Sequence, residues 1–164
     1  MKDVLLIAGL LAAPFTTSVQ QYRAQPPVDQ NDPRLSRLKK YFADRDCPLK
    51  DSAQDFLLAA DQNELDWRLL PGISMIESSG GKDYKNNNVF GWDSCKERFP
   101  SVRAGIHYVA AQLGKSNRYK DKDVNRKLHI YNPLPDYSQR VQAVMRTIGS
   151  GAQPRSQPQM LAAD

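Results

Sequence analysis

Apolar residues along this chain recur at spacings of three and four rather than two, and the helices they predict follow one another from Pro33 to Ile148. Asp32-Pro33 supplies an N-cap and a first-turn proline for a helix with Leu35, Leu38 and Phe42 on one face. A second helix is predicted from Asp51 or Ser52, with Phe56, Leu57 and Ala60 inward and Leu65 beyond its turn. Asp66 caps a third, with Trp67 and Arg68 in its first turn and Pro71 close enough to the start to be tolerated. That helix runs through an apolar stretch, Leu69 to Ile76, reaches Glu77 and stops at Gly80-Gly81. Ser101 caps a fourth, whose Val102, Ile106, Val109, Ala110 and Leu113 form a continuous stripe; Tyr108 lies beside the stripe and reads as core. Val124, Leu128 and Ile130 make a short helix that Asn132-Pro133-Leu134-Pro135 breaks. Asp136 opens the last, with Tyr137, Val141, Val144, Met145 and Ile148 inward. No alternating strand pattern of useful length occurs, so the expected fold is mainly α.

At 164 residues, 40% of them hydrophobic, the chain has enough apolar surface for one core and too little for two. Met1 to Phe15 has a short charged start and an apolar run too short to span a bilayer, so residues 1–24 read as a signal peptide for export to the periplasm or beyond. Asp3 offsets Lys2 and the cleavage site is poorly marked, which leaves a retained anchor or a misplaced start open. Residues 25–49 read as a linker and N-terminal helix, 50–149 as the core domain, and 150–164, with Pro154 and Pro158, as a flexible tail.

The most informative position is Glu77, a carboxylate where an apolar helix stops. Burial against Ile73, Met75 and Ile76 disfavours the charged form and raises the pKa, as a general acid working near neutral pH requires. Taken alone, the same residue equally fits a surface glutamate in a last helical turn. Nearby are an asparagine-rich turn, Asn86-Asn87-Asn88-Val89-Phe90-Gly91-Trp92, and later Tyr131-Asn132-Pro133 with Asp136-Tyr137.

Three segments, Ile76-Glu77-Ser78, Asn87-Asn88-Val89-Phe90-Gly91 and Tyr131-Asn132-Pro133 with the Tyr137 helix, carry a resemblance. Between Phe56 and Met145 the chain resembles the lysozyme-like superfamily of cell-wall glycosidases, most closely the glucosaminidase (endo-β-N-acetylglucosaminidase-like) domain, with lytic transglycosylases as relatives. The resemblance implies a lysozyme-like helical domain, Glu77 as catalytic acid, a sugar cleft shaped by the Asn-Val-Phe-Gly turn, and Tyr131 near the reacting sugar. One departure stands out. The family's β-hairpin lobe usually follows the Phe-Gly turn and carries a second acid, but here Trp92 to Pro100 leaves little room before the helix at Ser101. The lobe is therefore expected to be reduced or absent, with Asp93 or Glu97 as the second carboxylate or with none. Ser78 is a candidate partner of Glu77 or of substrate, Asn87 and Asn88 of an acetamido group, Phe90 and Trp92 of a sugar face, and Tyr137 a packing residue with a polar tip at the substrate.

Cys47 and Cys95 are the two cysteines, and in an exported chain they are candidates for one disulfide, adding about 3 to 5 kcal/mol by loop closure. His107 and His129 lack companions at metal-ligand spacing and read as structural, so neither metal nor cofactor is expected. A net charge of +5 raises nucleic acid as a partner, but Asp121 and Asp123 interrupt the basic run Lys115 to Lys122 and no recognition element accompanies it. The expected partner is peptidoglycan or a related anionic amino-sugar polymer, met by a monomer that is not an integral membrane protein; a non-catalytic wall-binding module is the alternative.

Overall fold

The computed structural model describes residues 28–150; the expected leader over 1–24 and most of the two polar tails lie outside them. Six α-helices follow in chain order: α1 (Pro33–Ala43), α2 (Ala53–Gln62), α3 (Leu69–Ser78), α4 (Val102–Lys115), α5 (Val124–Tyr131) and α6 (Tyr137–Ser150). Short 3-10 turns occupy Pro48–Ser52 and Trp92–Cys95, and the described residues contain no strand. The fold is thus mainly α.

The helix starts follow local chemistry. The carboxylate of Asp32 accepts the backbone N–H of Arg34 at 2.8 Å, Ser101 Oγ that of Ala104 at 3.1 Å, and Asp123 that of Arg126 at 2.7 Å. Asp66 does the same for Arg68 at 2.9 Å and pairs with its guanidinium, yet α3 begins at Leu69 rather than beside Asp66. Pro71 therefore falls in the first turn, where its missing N–H has no intrahelical acceptor to lose. Ser79 ends α3 in the left-handed conformation.

In α3, Leu69 through Ser74 are all buried. α6 packs antiparallel against it: Gly149 meets Arg68 near one end, Val141 and Met145 meet Gly72 in the middle, and Tyr137 meets Glu77 at the other. Gly72 is what permits the close crossing, since a Cβ there would stand 3.0 Å from Met145 Cγ. α2 lies against α4, and α1 packs into the same core through Leu35, Leu38, Tyr41 and Phe42. A line of rings, Phe42 to Phe56 at 5.8 Å and Phe56 to Phe90 at 6.2 Å, runs from α1 through α2 to the loop after α3.

Two expectations are corrected here. Cys47 and Cys95 are both free thiols. Cys47 is buried beside Met75 and Ser79 at the end of α3, its thiol directed at the carbonyls of Arg45 and Ser79, whereas Cys95 faces the cleft described below. Tyr108, one position off the apolar stripe of α4, is not core: it is 40% exposed. Among the described residues no helix is long and apolar enough to cross a membrane.

Candidate active site

The loop from Asn86 to Phe99 stands where a lobe was expected to be reduced, and three successive asparagines build it. Asn86 Nδ2 donates to the Cys95 carbonyl at 3.1 Å, Asn87 Nδ2 to that of Phe99 at 2.9 Å, and Asn88 Nδ2 to those of Trp92 and Glu97 at 2.9 and 3.2 Å. Asn88 Oδ1 also accepts the Trp92 N–H at 3.0 Å. Asn86 and Asn87 adopt positive φ, which asparagine tolerates better than most residues. The amides expected to meet an acetamido group are therefore committed to the backbone, and Asn88 is buried besides. Ser78 is committed likewise: its hydroxyl donates to the Ser74 carbonyl at 2.9 Å and accepts from the Gly81 N–H at 3.2 Å, both local backbone groups rather than Glu77. Phe90, fully buried against Phe56, is core rather than a sugar platform.

The loop forms one wall of a cleft of about 830 Å³, lined also by Glu77, Tyr108, Arg118, Tyr119 and the Tyr131-Asn132-Pro133 turn. Trp92, Asp93 and Glu97 all line it, as does Cys95. Trp92 is half-buried among Tyr108, Tyr119 and Tyr131, with ring centroids at 6.2, 6.2 and 5.6 Å. Asp93 is exposed at positive φ, and Glu97 is half-buried.

Glu77 is half-buried and lines this space. Its Oε1 accepts the Tyr137 hydroxyl at 2.7 Å, and its Oε2 lies against Gly91, where an added Cβ would come within 2.7 Å. Gly91 also sits at φ +63°, so both the turn and the carboxyl demand glycine. Burial raises the Glu77 pKa above the ordinary carboxylate value, against the opposing pull of the Tyr137 hydrogen bond and the positive charge of Arg140. Burial and the neighbouring Tyr131 and Glu77 push the Tyr137 phenol far up, so it is a constant donor.

The two tyrosines divide the work differently from expectation. Tyr137, 1% exposed at the first turn of α6, is the one that touches Glu77. Tyr131, the last residue of α5, donates to the Phe90 carbonyl and stacks on Tyr137 with centroids 6.0 Å apart and planes 9° from parallel. Its phenol too is held protonated by burial and by the charge of Glu77. Tyr131 thus braces Tyr137 and the loop at the cleft wall.

Sequence reasoning missed Tyr108, Arg118 and Tyr119. Arg118 Nη2 donates to the Ile130 carbonyl at 3.3 Å and its guanidinium lies 5.6 Å from the Tyr119 ring centre. The helical spacing assigned Tyr108 to the wrong side by one position, and the basic run that contains Arg118 and Tyr119 gave no sign of facing Glu77. The histidines take no part: His107 is half-buried near Asp55 with its pKa lowered by burial, and His129 is exposed on α5. No protein-family model matches the chain, and no curated protein gives a significant match.

Proposed function

We propose that the chain is an exported glycosidase that cleaves β-1,4 bonds between N-acetylated amino sugars of peptidoglycan, with Glu77 as general acid. The observation that carries this reading is the Glu77 carboxyl in the wall of an aromatic-lined cleft, its pKa raised by burial and one oxygen held by Tyr137. In the neutral acid the oxygen that accepts from a phenol is the carbonyl oxygen, so Tyr137 directs the proton to Oε2, the oxygen beside Gly91. Proton transfer from Oε2 to the glycosidic oxygen lets the bond to C1 break as the leaving sugar becomes an alcohol. The 2-acetamido oxygen can then bond to C1, and water displaces it while Glu77 regains a proton. On the alternative route, without the acetamido group, Asp93 or Glu97 activates the water that attacks C1, since both line the same cleft.

A second reading, lytic transglycosylation, is favoured by one contrast. Glu77 is the cleft carboxyl held by a side chain, whereas Asp93 is exposed on a short rim turn. With no second carboxylate engaged, the sugar's own 6-hydroxyl displaces the acetamido oxygen and leaves a 1,6-anhydro end. Mass spectrometry of soluble products from digested peptidoglycan, run beside Glu77→Gln, decides. The expected result is reducing N-acetylglucosamine ends whose release falls by at least about a hundredfold in the variant. Anhydro-muramyl ends select transglycosylation, and native protein that co-sediments with wall but releases nothing would leave a binding module.

A further inference from the structure

Four rings touch one another in series, from Tyr137, which is buried, to Tyr108, which is 40% exposed. Tyr137 is buried and holds Glu77; Tyr131 stacks on it; Trp92 meets Tyr131 edge-on at 5.6 Å; Tyr108 meets Trp92 edge-on at 6.2 Å. Tyr108 is backed by Phe99 at 5.3 Å, so its position is fixed, yet it is left 40% exposed and lines the same cleft as the acid. The ring contacts of Tyr108 are to Trp92 and Phe99 rather than to Tyr131 or Tyr137, which sets it apart from the rings that hold Glu77. A fixed, bare aromatic face gains most from an apolar, flat partner, and the C–H face of a pyranose is one.

We infer that Tyr108 is a specificity-determining residue that stacks on a sugar bound beyond those at the scissile bond, making the cleft a site for a polymer rather than a disaccharide. This inference rests on the glycosidase reading and names the length of chain that reading leaves unstated. The hexasaccharide of β-1,4-linked N-acetylglucosamine should therefore bind better than the disaccharide, and the advantage should depend on a flat ring at position 108.

Calorimetric titration of both oligosaccharides into the Glu77→Gln protein, which keeps the ligand intact, tests this. Adding Tyr108→Ala should shrink the hexasaccharide's advantage by about three- to tenfold, the scale of one aromatic contact, while Tyr108→Phe should retain it. If the alanine variant does not fold, Tyr108→Leu keeps an apolar contact to Phe99 and Trp92 without a flat face, and is read in its place. Equal weakening at both lengths, no weakening, or no binding of either sugar overturns the inference. Failure of the native protein to release products from wall material would instead count against the glycosidase reading, because the length dependence is read from binding alone.

Discussion

Glu77 couples stability to pH at a single residue. Because burial raises its pKa, the folded chain keeps the proton to a higher pH than the unfolded chain does. At pH below the unfolded value both states are protonated and nothing is lost. As pH rises through the unfolded value and then the folded one, the unfolded state releases its proton first and stability falls. Glutamine keeps an acceptor for Tyr137 and cannot ionise, so Glu77→Gln should raise Tm near neutral pH. The gap should close below about pH 4. Thermal melts across that range check it, and a gap independent of pH would contradict the burial argument. Tyr137→Phe acts in a different way. The hydrogen bond it removes favours the ionised carboxylate, so the alkaline limb of the rate profile should move to higher pH while kcat drops from lost orientation. The accompanying loss of stability should be about 0.5 to 1.5 kcal/mol.

At the level of elements, the loop from Asn86 to Phe99 depends on asparagine side chains for the pairing that strands would otherwise supply. Asn88→Ala would strand the Trp92 N–H and the carbonyls of Trp92 and Glu97, and should cost about 1 to 3 kcal/mol in urea unfolding, with product release falling as the cleft wall loosens. Gly91→Ala forces a side chain into left-handed backbone and against Glu77 Oε2; a cost of about 1 to 3 kcal/mol is expected, together with a displaced acid. The antiparallel contact of α3 with α6 has the same importance for the site. It brings the first residue of one helix to the last turn of the other, and Gly72 sets how closely they approach.

For the whole molecule, stability comes from one continuous core reaching from α1 to α6, and it owes nothing to a bridge between Cys47 and Cys95. Tm should therefore be indifferent to reductant. Thiol titration should find Cys95 reactive in the native protein and Cys47 only after unfolding, because Cys47 is buried and its thiol pKa is raised by that burial. A melting point that falls on reduction would restore the disulfide.

The sequence by itself determined the helices and the caps at Asp32, Ser101 and Asp123, because spacing and capping are local: each of these three satisfies a backbone N–H a few residues away. It also singled out Glu77, since an acid that closes an apolar helix is a local anomaly. What surrounds that acid was a tertiary matter. Whether Tyr131 or Tyr137 reaches the carboxyl depends on how α5 and α6 dock, and whether Asn88 meets a sugar or a carbonyl depends on how the loop closes. Tyr108 faces solvent, and the two thiols lie apart, for the same reason. Each is fixed by contacts between residues distant along the chain, which a pattern of neighbours does not contain.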